Sequence, residues 1–265
     1  MLFQTIGFIG CGNMGSALAR AIQKEDRAIF LSNRSSAKAE ALAREIGGIP
    51  STNQEIAADC DLIFLGVKPQ MMASVLQGIS RTLKERIAPF VLVSMAAGLS
   101  TETIQNMAGL PCPVLRIMPN TPASIGAGMI LCCQSGVTPE ELEEFQELMQ
   151  DAGRLDQLGE GLIDAGSAVS GCGPAFVYLF IEALADGGVA CGLPRDKALT
   201  YAAQTVLGSA ELVLQSGKHP GALKDAVCSP AGTTIQGVRA LEQNGFRSAA
   251  MEAVIAAYEK TLSLS

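Results

Sequence analysis

Short apolar runs alternate with helical patterns through the first 160 residues of the chain. Residues 28–31, 61–67 and 90–94 are almost continuously apolar, which is typical of strands buried on both faces of a sheet. Between them lie stretches of helical periodicity, such as the one that Ser35 precedes and Gly47 ends, and these residue types favour helix starts and stops. The alternation predicts an α/β fold whose parallel sheet is covered by helices on both faces.

The pattern changes near residue 160. Before it, residues 6–9, 113–118 and 129–132 complete the predicted strands, Thr101 is expected to cap a short helix, and a helix with an acidic face starts at Pro139. After it, helical periodicity alone continues, in the stretches 174–189, 194–215, 221–227, 234–244 and 247–262. We therefore predict two domains, an α/β domain over residues 1–160 and an all-helical, alanine-rich domain over residues 161–265.

A glycine-rich turn joins the first predicted strand to the first predicted helix. Gly10, Gly12 and Gly15 form the pattern G-x-G-x-x-G between the apolar residues 6–9 and the periodic stretch 14–22. In this context the first glycine permits a tight turn, the second lets backbone approach a pyrophosphate, and the third lets the helix pack on the strand. The helix start adds free N–H groups and a partial positive charge. The turn predicts a dinucleotide-binding domain of the Rossmann type.

The end of the second predicted strand bears on which dinucleotide is bound. NAD-binding domains usually carry Asp or Glu there, which accepts hydrogen bonds from the ribose hydroxyls. This chain has Ser32, Asn33 and Arg34 instead. Hydroxyl, amide and guanidinium donors suit a phosphate dianion, so we expect NADPH to be preferred over NADH. The alternative for Arg34 is a solvated charge at a helix start.

Composition argues against several other classes of partner and site. The net charge of −7 disfavours binding to nucleic acid or to anionic membranes. No apolar run is expected to span a bilayer, because Glu182 interrupts residues 176–184, and the first strand begins too early to leave room for a signal peptide. The eight cysteines show no C-x-x-C pair and no metal-type spacing, which indicates buried free thiols in a reducing cytoplasm and no metal site.

Two further segments carry polar groups at places where ligands bind. Val67, Lys68, Pro69 and Gln70 stand at the end of a predicted strand, and the carboxyl ends of such strands line a cofactor crevice. Residues 228–234, with the sequence CSPAGTT, lead into a predicted helix. A loop of small and hydroxyl-bearing residues at a helix start can bind an anion. Because this loop lies in the helical domain, we expect it to hold a substrate carboxylate rather than the nucleotide.

Taken in order, these segments resemble the pyrroline-5-carboxylate reductase family over nearly the whole chain. The resemblance extends to residues 94–98 (SMAAG), 116–122 (RIMPNTP), 170–175 (SGCGPA) and 186–189 (DGGV). Its most specific part is the signature near the C-terminus, residues 224–235 (KDAVCSPAGTTI). Two departures are small: Ala231 and Cys172 stand where the family often has glycine and serine.

The resemblance implies an enzyme that reduces a cyclic imine with NAD(P)H, the last step of proline synthesis. It implies an N-terminal Rossmann domain followed by an all-helical C-terminal dimerisation domain, with dimers assembling into a decamer in the cytoplasm. Substrate contacts are expected at Glu160, Ser229, Gly232, Thr233 and Thr234. The expected cofactor-binding residues are Gly10, Cys11, Gly12, Asn13, Met14, Gly15, Ser32, Asn33, Arg34, Asn53, Val67, Lys68, Pro69, Met95, Ala96, Ala97, Met118 and Asn120.

The residues present suit this chemistry, because hydride transfer to a C=N bond is carried by the cofactor. An imine that enters protonated needs no strong general acid, and the chain has a single histidine, His219, which is expected at a helix start. The protein must supply position. We expect backbone N–H groups of residues 232–234 to hold the carboxylate and the Thr234 hydroxyl to act as the catalytic partner of the ring nitrogen. Helix capping is the alternative role for these hydroxyls.

Several of the expected site residues also have a plainer interpretation. Lys68 would then be a solvated lysine, Glu160 an exposed linker charge, and the turn containing Asn120 purely structural. A catalytic cysteine at Cys11 or Cys228 is disfavoured, since no histidine lies near either in sequence.

Two other classes of protein share the N-terminal pattern. A β-hydroxyacid dehydrogenase needs a lysine base on the helix after its second glycine turn, and residues 174–179 contain none. A nucleotide-binding regulator without turnover is the second alternative. The hydroxyl-rich loop 229–234 argues against it, because such a protein needs no second anion site.

Overall fold

The computed structural model describes residues 2–24 and 26–263. Its contacts divide the chain into two compact units, one comprising the chain through Cys172 together with the segment from Ala257 onward, and the other Gly173–Ala256. This division lies beyond residue 160, where the pattern of the sequence changes. The reason is the helix Glu160–Ser170, which packs against a strand of the sheet in the first unit.

The described part of the first unit is an eight-stranded sheet flanked by helices. Its strands are Thr5–Ile9 (β1), Ala28–Ser32 (β2), Ile49–Pro50 (β3), Leu62–Leu65 (β4), Val91–Ser94 (β5), Val114–Met118 (β6), Gly128–Ser135 (β7) and Gly153–Gln157 (β8), in the spatial order β3-β2-β1-β4-β5-β6-β7-β8. Its helices are Asn13–Ala21 (α1), Ser36–Ile46 (α2), Asn53–Asp59 (α3), Pro69–Glu85 (α4), Thr101–Ala108 (α5), Pro139–Met149 (α6) and Glu160–Ser170 (α7).

Strand β1 lies between β2 and β4, so the chain winds in both directions from it and leaves a crevice at the carboxyl ends of β1 and β4. Alternate residues of the inner strands face two separate cores: Phe8 and Phe64 lie in one, and Ile9 and Ile63 in the other. The predicted Rossmann architecture, an α/β sheet buried on both faces, is confirmed.

One strand pairing differs from the predicted parallel sheet. Strand β7 runs antiparallel to β6, with Arg116 opposite Cys133. The connection between the two strands contains only a short 3-10 turn, Thr121–Ile125, whereas a parallel pairing needs a crossover of a dozen or more residues. A smaller difference concerns α5: Ser100, rather than Thr101, is the capping residue, because its side chain accepts a hydrogen bond from the N–H of Thr103.

The described part of the second unit consists of helices and the loops that join them. The helices are Gly173–Ala190 (α8), Arg195–Ser216 (α9), Pro220–Val227 (α10), Thr233–Gln243 (α11) and Phe246–Leu262 (α12), the last of which extends beyond the unit. Helices α8 and α9 pack through a small core of Ala185, Ala198 and Ala202, whose short side chains permit the two helices to approach closely. Large apolar side chains of these helices remain exposed, including Tyr178 and Leu179.

By length and composition alone, Glu160–Ala190 could cross a membrane, since it is 31 residues long and contains an 18-residue segment with a mean hydropathy of 1.5, of which only 11% is buried. This differs from the sequence expectation, in which the charge of Glu182 excluded such a stretch. The stretch comprises two helices, α7 and α8, which a turn separates. Helix α7 packs on β7, so the composition of this stretch is weak evidence for a membrane span.

Candidate functional site

The glycine turn after β1 has a different geometric requirement at each of its three glycines. Gly10 has a φ of +106°, and a Cβ there would lie 2.7 Å from the carbonyl carbon of Gly66. A Cβ on Gly12 would have no atom within 4 Å, so the backbone is open to a ligand at this point. A Cβ on Gly15 would lie 2.3 Å from the Gly10 carbonyl oxygen. The first and third glycines are therefore required for packing, and the second leaves room for a phosphate.

A pocket of about 700 Å³ opens beside this turn, at the carboxyl ends of β1, β2 and β4. It brings together seven of the predicted cofactor residues: Gly10, Gly12, Asn33, Arg34, Asn53, Val67 and Lys68. No carboxylate lines it among the residues the structure describes, whereas Arg34, Lys38 and Lys68 do. The pocket therefore suits a polyanion such as a dinucleotide.

Side chains at the end of β2 are held in place by hydrogen bonds before any ligand arrives. The Ser32 hydroxyl donates to Asn53 Oδ1 at 2.6 Å, and Asn33 Oδ1 accepts from the backbone N–H of Cys11 at 3.2 Å. These bonds tie β2 to the glycine turn and to the start of α3. The predicted residues at this wall thus form one connected group.

Several pocket residues were absent from the sequence prediction. Ser35, Lys38, Met71 and Val75 all line the pocket, as does Gln70, which the sequence pattern placed at the crevice without assigning it a cofactor contact. Lys38 is in the first turn of α2, and Ser35 is its N-cap residue, whose side chain makes no capping hydrogen bond. A basic residue one helical turn after Arg34 was the available signal for Lys38. The α4 residues gave no comparable signal, because their pattern is that of an ordinary amphipathic helix.

The other predicted cofactor residues do not line this pocket. They are Cys11, Asn13, Met14, Gly15, Ser32, Pro69, Met95, Ala96, Ala97, Met118 and Asn120. Met95 nevertheless adjoins its edge, since the Met95 Cε lies 3.0 Å from the position of a Cβ on Gly66. Met118 and Ala97 belong to a separate small core with Ile163 of α7. These two residues lie at the carboxyl ends of β6 and β5.

Asn120 makes structural hydrogen bonds with both ends of its amide. Its Nδ2 donates to the carbonyl oxygen of Ser170 at 2.9 Å, and its Oδ1 accepts from the N–H of Met129 at 3.0 Å. The residue is buried. It therefore connects the turn after β6 to the last turn of α7 and to the start of β7.

Glu160 is the first residue of α7 and lies in the first unit. Its Oε1 accepts from the N–H of Thr101 at 2.7 Å and its Oε2 accepts from the Thr101 hydroxyl at 3.0 Å. The guanidinium of Arg116 lies 3.6 Å from Oε1. Glu160 is thus part of a hydrogen-bonded cluster rather than a free linker charge.

The predicted substrate loop, residues 229–234, lies in the second unit. Gly232 is the N-cap residue of α11, its N–H donates to the Ser229 carbonyl at 3.0 Å, and a Cβ there would lie 2.3 Å from Ser229 Oγ. No side chain caps α11, so the first-turn N–H groups at Thr233 and Thr234 are available to an anion. Ala231 adopts a left-handed conformation with a φ of +58°.

The buried cysteine side chains pack in the cores of the first unit, and Cys11 does not have the surroundings of a nucleophile. Burial raises the pKa of Cys11 to about 11, and its thiol donates to the Ser32 carbonyl at 3.5 Å, so it is not a thiolate nucleophile at neutral pH. Cys132 and Cys133 face different cores, whereas Cys191 is exposed, contrary to the expectation of buried thiols.

His219 caps α10, with Nδ1 accepting from the N–H of Gly221 at 3.0 Å. In the described residues, no cluster of His, Cys, Asp and Glu could hold a metal ion.

Comparison with known proteins finds family matches in both the α/β region and the helical region of the chain. Residues 5–98 match the family of NADP oxidoreductases described as coenzyme F420-dependent, and residues 160–264 match the pyrroline-5-carboxylate reductase dimerisation family. The pyrroline-5-carboxylate reductase of Escherichia coli is 41% identical over 98% of both chains. A Plasmodium falciparum pyrroline carboxylate reductase, solved with NADP bound, is 34% identical, covers 99% of this chain and 98% of its own, and superposes with a TM-score of 0.85.

The competing enzyme class shares the fold alone. A 3-hydroxyisobutyrate dehydrogenase of Mycobacterium tuberculosis is 15% identical, covers 83% of this chain and 72% of its own, and superposes with a TM-score of 0.52. The Escherichia coli reductase, by contrast, aligns with 98% of this chain. The chain belongs to the pyrroline-5-carboxylate reductase family.

Proposed function

We propose that this protein reduces the C=N bond of 1-pyrroline-5-carboxylate with NADPH, giving L-proline. One observation carries the proposal of a cofactor site: the open backbone at Gly12 faces a pocket lined by Arg34 and Lys68 and by no carboxylate among the described residues. The family relationship supports the choice of substrate, and the NADP-bound relative supports the choice of cofactor.

The pocket residues fit a phosphorylated dinucleotide. The N–H groups at the start of α1 would hold the pyrophosphate beside Gly12. Ser32, Asn33 and Arg34 would bind the adenosine end, with the guanidinium on the 2′-phosphate. Asn53 and the segment Val67 to Pro69 complete this half of the proposed site. Cys11, Asn13, Met14 and the flanking Gly10 and Gly15 supply its backbone.

The remaining proposed cofactor residues lie beyond β4, at the ends of β5 and β6. A doubly wound sheet binds the two halves of a dinucleotide on either side of its switch point. Met95, Ala96, Ala97, Met118 and Asn120 would therefore surround the nicotinamide half. When bound, the cofactor supplies the hydride that reduces the imine carbon.

Substrate binding is proposed for the loop before α11. The free N–H groups of Thr233 and Thr234 and the Ser229 hydroxyl would hold the carboxylate. The Gly232 N–H, also expected from the sequence to bind it, donates to the Ser229 carbonyl, so Gly232 would contribute through the shape of the loop. The Thr234 hydroxyl would accept a hydrogen bond from the protonated ring nitrogen and so fix the orientation of the ring. Glu160 is retained as a proposed substrate-side residue because its side chain remains about one-third exposed.

Assembly is proposed to bury the apolar surface of the helical region. Residues 161–265 form the proposed dimerisation domain, and the dimers associate into a decamer in the cytoplasm. Exposed apolar side chains such as Tyr178 and Leu179 support burial against a second copy, since contiguous apolar surface of this kind marks interaction sites.

The test is NADPH oxidation by the purified protein with 1-pyrroline-5-carboxylate, beside Thr234→Ala and the matched control Thr205→Ala. The Thr205 hydroxyl donates to the Tyr201 carbonyl within α9, so its loss removes a hydroxyl of the same kind outside the proposed site. We expect turnover by the wild type and the control, and a rate at least tenfold lower for Thr234→Ala. Tight NADPH binding without turnover by the wild type would instead favour the nucleotide-binding regulator.

A further inference from the structure

A buried arginine at the carboxyl end of the sheet has no role in the proposed binding of cofactor or substrate. Arg116, in β6, is 3% exposed. Its Nη2 donates to Asp164 Oδ1 at 2.5 Å, its Nη1 lies 3.6 Å from Glu160 Oε1, and its Nε has no partner among the described residues. A buried guanidinium is costly unless it is paired. The two carboxylates, one turn apart on α7, therefore hold this helix to β6.

The contact continues from α7 to the segment after β5. Glu160 accepts hydrogen bonds from both the N–H and the hydroxyl of Thr101. Thr101 is the first residue of α5 and closes the loop that contains Met95 and Ala97. Arg116 pairs in register with Ser94, the last residue of β5. A path of polar contacts therefore runs from β6 through α7 to the loop after β5.

The opposite end of α7 is fixed to the turn after β6. Asn120 donates to the carbonyl of Ser170, the last residue of α7, and accepts from Met129. Between the two ends, Ile163 packs with Met118 and Ala97 in one small core. Helix α7 is thus attached to both segments that are proposed to surround the nicotinamide.

We propose that Arg116 is a positioning residue for hydride transfer. Through Glu160 and Asp164 it holds α7, and α7 in turn fixes the segments after β5 and β6 that receive the nicotinamide. This inference rests on the proposed function, since it assigns the nicotinamide to those segments. Arg116 itself touches neither ligand, and its effect is confined to one end of the cofactor.

The test compares Arg116→Met with Arg86→Met. Arg86 is also a buried arginine, with a side chain 4% exposed, but it lies near Asp61 at the amino end of β4 and donates to the Ala57 carbonyl. Both variants lose a buried guanidinium, but only Arg116→Met loses one at the carboxyl end of the sheet. The quantities measured are the dissociation constants of NADPH and of 2′-phospho-ADP-ribose, which lacks the nicotinamide, and the single-turnover rate of hydride transfer.

For Arg116→Met we expect NADPH to bind about tenfold more weakly and hydride transfer to slow at least tenfold, with the fragment's dissociation constant unchanged within about twofold. For Arg86→Met the ratio of the two dissociation constants is expected to remain that of the wild type. Equal weakening of both ligands by Arg116→Met, or no change in either, would overturn the proposal.

Two milder variants keep the test decisive if Arg116→Met does not fold. Arg116→Lys keeps the charge but loses the fork geometry, and Thr101→Val removes only the hydroxyl bond to Glu160. Both are expected to raise the NADPH-to-fragment ratio of dissociation constants, and an unchanged ratio in both would contradict the inference. Because binding is measured without the imine, a wild type that binds NADPH but does not turn over would overturn the proposed function alone.

Discussion

At the residue scale, the wall of the pocket after β2 is where we expect NADPH and NADH to be distinguished. Arg34, Ser35 and Lys38 line it, and no described acidic residue does. A 2′-phosphate placed there meets a guanidinium, a free hydroxyl and an ammonium group. A ribose with a free 2′-hydroxyl finds no carboxylate to accept its hydrogen bond. We therefore expect the pocket to favour NADPH, because it contains basic and hydroxyl groups and no acidic side chain among the described residues.

Replacing the arginine of this wall should change the cofactor preference. We expect Arg34→Gln to raise the KM for NADPH by roughly tenfold to a hundredfold, because a hydrogen bond to a charged group contributes about 1.5–3 kcal/mol. The KM for NADH should remain within about twofold of the wild type. Steady-state kinetics with both cofactors checks this. Arg44→Gln, in the last turn of α2, is the control, and an equal loss with NADH would contradict a contact to the 2′-phosphate.

The sequence predicted part of this pocket and missed the rest for a physical reason. Gly10 and Gly15 could be predicted because each has a requirement that only glycine meets, as their close contacts confirm. Gly12 could be predicted because a ligand is expected to approach the backbone there. Val75 could not, because whether it faces the pocket depends on how α4 is set against the sheet. The structural role of Asn120 could not be predicted either, since its hydrogen bonds to Ser170 and Met129 depend on tertiary neighbours.

At the element scale, the spacing between helix α3 and strand β1 is set by a glycine. A Cβ on Gly7 would lie 2.3 Å from Ile56 Cγ2 and 2.9 Å from Cys60 Sγ, both of which belong to the core on that face. In the middle of α4, by contrast, a Cβ on Gly78 would meet no atom within 4 Å. The same substitution should therefore have opposite effects at these two sites.

We expect Gly7→Ala to lower the free energy of unfolding by about 1–3 kcal/mol, since the added methyl group overpacks the contact between α3 and β1. Gly78→Ala should raise it by up to about 1 kcal/mol, because alanine favours the helix without a clash. Urea denaturation followed by circular dichroism measures both. A loss of stability in both variants would show that α4 has a close neighbour at Gly78.

Strong apolar patterns predicted the inner strands, whereas β3 and β8 have weak patterns and were not predicted. Strands β4 and β5 are fully buried and continuously apolar, so their type followed from composition. Strand β3 has only two residues, both exposed, and β8 carries Arg154 and Asp156, so neither has a strand signal. The direction of β7 depends on the short connection before it rather than on any residue within the strand.

At the scale of the whole molecule, the exposed apolar side chains of α8 and α9 indicate that the single chain leaves an interface uncovered. Leu179 is 68% exposed, and Leu199 and Leu207 are also exposed. The match of residues 160–264 to a dimerisation family accounts for this surface without a membrane. It also accounts for the low buried fraction of the stretch Glu160–Ala190.

A charge placed on this surface should separate the subunits. We expect Leu179→Asp to shift the mass toward that of a single chain, because an unpaired carboxylate in an apolar interface costs several kcal/mol. Light scattering after size-exclusion chromatography measures the mass. Ile87→Asp is the control, since Ile87 is a fully exposed apolar residue of the first unit. A multimeric mass unchanged by Leu179→Asp would place the interface elsewhere.

The attachment of α7 to the sheet determines where the chain can be cut. A fragment that ends at Gly159 would carry every strand of the sheet, yet it would uncover Met118, Leu131 and Cys133, the apolar patch that Ile163 now covers. It would also leave Arg116 without its two counter-charges. A cut after Cys172 keeps that helix with the sheet. The match to the dimerisation family begins at residue 160, one helix before Gly173, where the second unit begins. A domain exchange between relatives should therefore keep α7 with the sheet, together with the segment from Ala257 onward that belongs to the same unit.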